Sequence, residues 1–104
     1  MEERDLLRCV ERGLDAFGSN MRDATYSALR VNEGLFSFSE MVSNPDALEG
    51  ALKSVFGAGY VFAERSIITE MKKKFDLSSP ASSYTISDAF TIASKEIRRR
   101  SRNT

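Results

Sequence analysis

The feature that most constrains the fold is the helical spacing of apolar residues, which recurs along the whole 104-residue chain. In the first segment, the apolar residues recur every three or four positions, at Leu6, Val10, Leu14 and Phe17. This spacing places them on one face of a helix over about residues 3–17. No segment alternates apolar and polar residues as a half-buried strand does. The pattern therefore predicts an all-α fold.

A second helix is predicted directly after the first. Gly18 is suited to end the first helix in the left-handed conformation, and Ser19 is suited to cap the next one. Asn32 and Gly34 mark the end of the second helix. Its predicted buried stripe consists of Met21, Ala24, Ala28 and Val31, with Tyr26 and Leu29 beside it.

A connection and a third helix follow. Residues 35–44 are too apolar for a solvated loop, so a short helical turn is predicted at about residues 39–43. Asn44 and Pro45 then signal a helix start, because Asn caps well and Pro loses no hydrogen bond at the first helical position. Gly57 is predicted to end this third helix.

Two more helices complete the chain. The fourth begins after Gly59 and ends in Lys72–Lys74, whose charges suit the negative end of the helix dipole. Residues 76–84 are rich in Ser and read as a loop, and Thr85 with Asp88 resembles a capping box for the last helix. Short connections between amphipathic helices predict a small antiparallel helical bundle of about five helices with one extra short helical turn. Residues 1–97 are assigned to a single helical domain and residues 98–104 to a basic C-terminal tail.

Composition excludes several classes of function. The chain has one cysteine and no histidine, so it cannot build a His/Cys zinc site or a Ser-His or Cys-His nucleophile pair by itself. Catalysis by carboxylates, Lys or Tyr stays open by composition, but the sequence shows neither a cleft nor a shifted pKa for such groups, so we expect no metal, no cofactor and no enzymatic activity. The charged start of the chain does not resemble a secretion signal, and no run approaches the ~18 apolar residues of a membrane span, so a cytoplasmic protein without membrane contact is expected.

Charge is unevenly distributed although the net charge is zero. Residues 1–52 carry 5 Lys or Arg against 10 Asp or Glu, and residues 53–104 carry 10 against 5. The two halves can simply complement each other when they pack, or they can recruit a partner. The residues that could contact an anion or a nucleic acid are Lys72, Lys73, Lys74, Arg98, Arg99, Arg100 and Arg102. Because no aromatic residue is interleaved with the arginines, a solvated helix end is the favoured interpretation and nucleic-acid binding the alternative.

Three candidate sites are each better explained by a structural role than by a functional one. Gly57 and Gly59 resemble a phosphate-binding loop, but Phe62 stands where GxGxxG needs its third glycine, so a tight corner between helices is favoured. Cys9 lies beside an apolar stripe and is expected to act as a small hydrophobe rather than a redox group. Glu11 and Asp15 lie one turn apart and are expected to form surface salt bridges rather than an acid–base pair.

Aromatic residues off the helical stripes are the strongest sign of a contact surface. Phe62 lies off the main stripe of its predicted helix and is expected to be exposed. Together with Phe36 and Phe38 of the apolar connection, it is predicted to contact a protein partner or a second copy of the chain.

The order of these motifs resembles a small archaeal family, the Nitrosopumilus output domains of the fifth type. The resemblance covers about residues 3–97 and depends on Gly18-Ser19, Tyr26, Asn44-Pro45, Phe56-Gly57 and Gly59. It implies a stand-alone helical domain of an archaeal cytoplasm that serves as a signalling output or adaptor module, with no catalytic residue to carry over. The Arg-rich tail departs from the family pattern.

Taken together, the sequence predicts a non-enzymatic helical interaction module that acts through protein–protein contacts, with a homodimer as one form of such contact. The alternative is a nucleic-acid-associated accessory protein that uses the basic residues of the C-terminal half.

Overall fold

The computed structural model describes residues 3–35, 37–75 and 77–102, and within these ranges every regular element is helical. Six α-helices follow one another: α1 (Glu3–Asp15), α2 (Ser19–Glu33), α3 (Phe38–Ser43), α4 (Pro45–Phe56), α5 (Tyr60–Lys72) and α6 (Ile86–Arg102). Two 3₁₀ turns, Gly57–Gly59 and Ala81–Ser83, precede α5 and α6. The predicted all-α bundle of five helices with one extra short helix is confirmed.

Helix α1 lies at the centre of the fold. Its buried face consists of Leu6, Cys9, Val10 and Leu14, as the spacing predicted. The helix ends at Asp15, two residues earlier than predicted, and Gly18 does not adopt the left-handed cap conformation. Gly18 instead has a φ of 101° and a ψ of 150° and lies at the N-cap of α2, so Ser19 is the first residue of that helix and not its cap.

The predicted stripe of α2 is correct in part. Leu29, expected beside the stripe, is buried, and Ala28 packs against the core, whereas Val31 is 78% exposed. Thr25, which was not predicted, is also buried, and its hydroxyl donates a hydrogen bond to the carbonyl oxygen of Met21 at 2.9 Å, which removes the cost of burying its polar group. The face that α2 turns to the core is therefore rotated from the predicted stripe toward Thr25 and Leu29.

The start of α4 follows the prediction except at its cap. Pro45 is the first helical residue, but the Asn44 side chain does not cap the helix. Its amide nitrogen donates instead to the carbonyl oxygen of Glu40 in α3, at 2.9 Å. The buried face of α4 consists of Leu48, Ala51 and Leu52.

Helix α5 is packed closely against α1. The Ser66 hydroxyl donates to the Gly13 carbonyl oxygen at 2.7 Å, and a Cβ added to Gly13 would lie 2.6 Å from the Ile67 Cα. Only a glycine at this position of α1 lets the two backbones approach so closely. Ile67, Ile68 and Met71 complete the buried face of α5.

The last helix begins as its motif predicted. The Asp88 amide donates to the Thr85 hydroxyl at 3.0 Å, and the Thr85 amide donates to the Asp88 carboxylate at 3.4 Å, which is the reciprocal pattern of a capping box. Ile86, Ala89, Phe90 and Ala93 are buried. Helix α6 continues to Arg102, so residues 98–102 of the predicted tail are helical.

Candidate interaction surface

The most exposed aromatic side chain among the described residues lies near the start of α5. Phe62 is 63% exposed, while the residues that follow it, Ala63 and Glu64, are buried. Val61, its other neighbour, is also exposed. The prediction that Phe62 lies off the buried stripe of its helix is confirmed.

A second exposed aromatic residue follows the end of α1. Phe17 is 40% exposed, and its ring meets the ring of Phe56 edge to face, with 5.3 Å between the centroids. Such an edge-to-face pair is a favourable aromatic geometry and holds the Phe17 ring against the end of α4. Phe17 was predicted to belong to the buried stripe of the first helix, and its position two residues beyond the helix end explains its exposure.

Both aromatic residues lie at the same end of the bundle. Helices α1 and α5 are antiparallel: Gly13 lies against Ile67, while Cys9, one turn earlier, is close enough to Lys74 for that charge to act on its thiol. Phe17 is one turn beyond Gly13 in the chain, and Phe62 is one turn before Ser66, which contacts Gly13. We call the set Phe17, Phe56, Val61 and Phe62 the aromatic end.

The other two predicted contact residues add nothing to this surface. Phe36 lies outside the described residues. Phe38 is the first residue of α3, and its side chain is outside the described part of the chain. Their predicted contact with a partner stays a prediction.

The predicted cationic residues lie at the ends of two helices. Lys72 and Lys73 are exposed at the end of α5, Lys74 is partly buried, and Arg98 and Arg99 are exposed on α6. The Lys73 ammonium lies 2.6 Å from the Glu70 carboxylate, so one of these charges is already paired. Arg98 lies beside Ser43 and Pro45, near the start of α4. The side chains of Arg100 and Arg102 are outside the described part of the chain.

The glycine-containing turn joins two helices, as predicted. Gly57 has a φ of 59°, which favours glycine, and its amide donates to the Lys53 carbonyl oxygen. The Tyr60 amide donates to the Gly57 carbonyl oxygen. Gly59 differs from the prediction: its φ is −77°, and a Cβ there would meet no atom within 4 Å. Only Gly57 therefore needs to be glycine for the corner to form.

Cys9 lies in the core and has the environment of an unreactive thiol. It is 2% exposed, and burial raises its pKa to about 11, an effect that the charge of Lys74 only partly offsets. Since the thiolate is the reactive form, the environment of Cys9 suits a small hydrophobic residue.

The Glu11 and Asp15 carboxylates share one arginine. The Arg22 guanidinium of α2 lies 3.3 Å from Asp15 and 3.9 Å from Glu11, and all three side chains are partly exposed. This is the predicted salt-bridged surface. Within the described ranges, no group of three or more His, Cys, Asp or Glu side chains is arranged to hold a metal ion. No helix among the described residues is long and apolar enough to cross a membrane.

Sequence analysis missed two acidic residues in the core, Glu64 and Glu96, besides Thr25. Glu64 of α5 is 8% exposed, and its carboxylate accepts a hydrogen bond from the Ile86 amide at 2.9 Å. Burial raises the pKa of Glu64, and the hydrogen bond from Ile86 opposes part of that rise. Glu64 thus caps the first turn of α6 from another helix, a role that depends on tertiary packing.

Comparisons with models of known protein families, with curated proteins and with solved structures gave no match. The resemblance to the output-domain family stays a prediction.

Proposed function

We propose that this chain is a non-enzymatic helical interaction module that makes protein–protein contacts through its aromatic end, with a second copy of the chain as the partner. The exposure of Phe62 on a well-packed helix carries the proposal. Exposed aromatic residues on a rigid support are the type of side chain that contributes most to protein interfaces. The role of a signalling output or adaptor domain in an archaeal cytoplasm comes from the family resemblance and is part of this proposal.

The charge of the chain favours a second copy as the partner. The net charge is zero, so two copies do not repel each other strongly. A surface built on a few apolar side chains is at the small end of protein interfaces. We therefore expect weak, reversible self-association rather than a permanent dimer.

Sedimentation equilibrium over a wide concentration range tests this proposal. Wild type is expected to associate as concentration rises, and Phe62→Ala is expected to weaken association by about tenfold or more, since a buried aromatic anchor is lost. Val31→Ala is the matched control, because Val31 is even more exposed but lies on α2. A strict monomer at every concentration, or equal weakening by both substitutions, would contradict a homotypic contact at the aromatic end.

Nucleic-acid binding by the basic residues stays the alternative. A gel-shift experiment with DNA and RNA at several salt concentrations distinguishes it, because phosphate contacts weaken steeply as salt rises. A salt-dependent shift that Arg98→Gln and Lys72→Gln reduce, together with a monomeric protein, would favour the alternative.

A further inference from the structure

A pocket of about 250 Å³ opens between α1, α2 and α3, on the side of α1 opposite α5. Apolar side chains from all three helices and from the connection after α2 form most of its lining: Leu7, Leu29, Leu35 and Met41. Polar groups come from Glu11, Tyr26, Arg30 and Ser37. An apolar pocket with a few convergent polar groups is the usual form of a small-molecule site.

The Tyr26 hydroxyl is the unusual feature of this pocket. It is buried and forms no hydrogen bond of good geometry with the described residues, although the Glu11 carboxylate is close enough to interact with it. Buried polar groups without partners are rare in folded proteins, and each one needs an explanation. Burial, the negative charge of Glu11 and the interaction of the hydroxyl with the Glu11 carboxylate all raise the pKa of Tyr26, so the hydroxyl keeps its proton at neutral pH.

Arg30 supplies a second donor. Its side chain is exposed, lines the same pocket and forms no ion pair with any residue that the structure describes. The acidic group of the pocket, Glu11, already has an ion-pair partner, because the Arg22 guanidinium lies 3.9 Å from its carboxylate. The Tyr26 hydroxyl, which lacks a hydrogen bond of good geometry, and the Arg30 guanidinium, which lacks an ion pair among the described residues, are both donors, so a ligand that contacts them supplies acceptors.

We propose that this pocket binds a small organic acid with an apolar body, whose carboxylate accepts hydrogen bonds from the Tyr26 hydroxyl and the Arg30 guanidinium. The volume of the pocket supports this size: a cavity of about 150 Å³ holds benzene, whereas drug-sized ligands occupy about 300 Å³ or more. One ring or branched chain with a short acidic arm fits between these limits. The leucine and methionine side chains contact the apolar body.

Methyl NMR with phenylacetate as the probe tests the proposal on the full-length chain. For a ligand of this size we expect a dissociation constant on the order of millimolar. The Leu7, Leu29, Leu35 and Met41 methyl signals should shift with added phenylacetate, whereas those of Leu48 and Leu52 in α4 should not. Phenylacetamide, the neutral analogue, should bind more weakly.

Three substitutions then test the polar contacts. Tyr26→Phe should weaken phenylacetate binding by about tenfold, and Arg30→Gln by about fivefold, since the first removes a buried hydrogen bond to a charge and the second an exposed ion pair. Glu11→Gln should tighten binding, because it removes the negative charge from the pocket wall. Arg99→Gln changes the net charge by the same amount as Arg30→Gln, but Arg99 lies on α6, so this control should leave phenylacetate binding unchanged.

Two results would overturn the proposal. The first is the absence of any shift of the lining methyl signals at phenylacetate concentrations well above the expected dissociation constant. The second is binding that is equal for phenylacetate and phenylacetamide and is unaffected by Tyr26→Phe and Arg30→Gln. The methyl signals of Leu48 and Leu52 report whether each variant keeps its fold, so loss of binding through unfolding is recognised.

Discussion

The two sides of α1 are packed very differently. On the α5 side, the backbones approach so closely that Gly13 has no room for a Cβ, and Ser66 donates directly to its carbonyl oxygen. On the α2 side, a 250 Å³ pocket remains and the Tyr26 hydroxyl forms no hydrogen bond of good geometry. Dense packing with satisfied polar groups is what stabilises a fold, whereas space and unsatisfied donors are what a ligand can use. The same helix therefore separates a stabilising interface from a candidate binding site.

The largest effect on stability is expected for Gly13→Ala, which tests the close packing of α1 against α5. The new Cβ would lie 2.6 Å from the Ile67 Cα, a backbone atom that can yield only if α1 and α5 separate. Overpacking of this kind costs about 1–3 kcal/mol, and weakening the Ser66 hydrogen bond adds about 1 kcal/mol, against a gain of about 1 kcal/mol in helix propensity. We expect the free energy of unfolding in urea to fall by about 2 kcal/mol.

Gly50→Ala is the matched control for that substitution. A Cβ at Gly50 of α4 would meet the Glu33 carboxylate at 2.9 Å, but this is the end of a flexible side chain that can move away. Alanine should therefore leave stability unchanged or raise it by up to about 1 kcal/mol. Equal effects of the two substitutions would show that α1 and α5 are not in the close contact described.

A second test concerns whether the tight packing around α5 extends to α6. Glu64→Ala removes the acceptor for the Ile86 amide and should lower the free energy of unfolding by about 1–2 kcal/mol, the effect of losing a helix cap. Glu64→Gln keeps an acceptor oxygen and should lose much less. If both variants unfold at the same urea concentration as wild type, the contact from Glu64 does not hold the start of α6.

The pH dependence of the free energy of unfolding, compared between wild type and Glu64→Gln, tests whether burial raises the pKa of Glu64. The pKa of Glu64 is raised above its ordinary value of 4.5, so the folded state binds more protons than the unfolded state just above that pH. The wild type should then lose stability as pH rises from about 4.5 through the raised pKa of Glu64, relative to Glu64→Gln. Urea unfolding of both proteins at a series of pH values measures the difference, and a difference of the opposite sign would contradict the raised pKa.

The parts of this fold that could be predicted from the sequence depend on short-range chemistry. Pro45 at the start of α4, Gly57 after its end and the Thr85–Asp88 capping box each involve residues within four positions of one another. The exposure of Phe62 followed from its position relative to the apolar stripe of the same helix. Such features depend little on which helix packs against which.

The parts that were missed depend on contacts between distant segments. Gly13 reads in the sequence only as a poor helix former, and its role appears once Ile67 of α5 is placed against it. Glu64 reads as a solvated charge, and its burial depends on α6 beginning 22 residues later. The burial of Thr25 in α2 was missed because a hydroxyl bonded within its own helix makes Thr25 as suitable for the core as an apolar residue.

The smallest expected effect compares two tyrosine hydroxyls, one in the pocket and one outside it. Tyr26→Phe removes a buried hydroxyl that forms no hydrogen bond of good geometry and should leave the free energy of unfolding unchanged or raise it by up to about 1 kcal/mol. In Tyr84→Phe, the matched control, the lost hydroxyl oxygen accepts a hydrogen bond from the Ser79 amide at 3.0 Å, so stability should fall. Opposite signs in urea unfolding at neutral pH would confirm that the two hydroxyls differ in hydrogen bonding.

Alkaline pH should enlarge the effect of Tyr26→Phe. Because the pKa of Tyr26 is raised in the folded state, the wild type loses stability as pH rises above the ordinary tyrosine value of 10, where the unfolded chain releases this proton first. The variant lacks that loss, while the Cys9 thiol titrates in both proteins and cancels in the comparison. A gap in stability that widens as pH rises through 10 would show that burial and the Glu11 carboxylate disfavour the ionised hydroxyl, and a constant gap would mean that water solvates it.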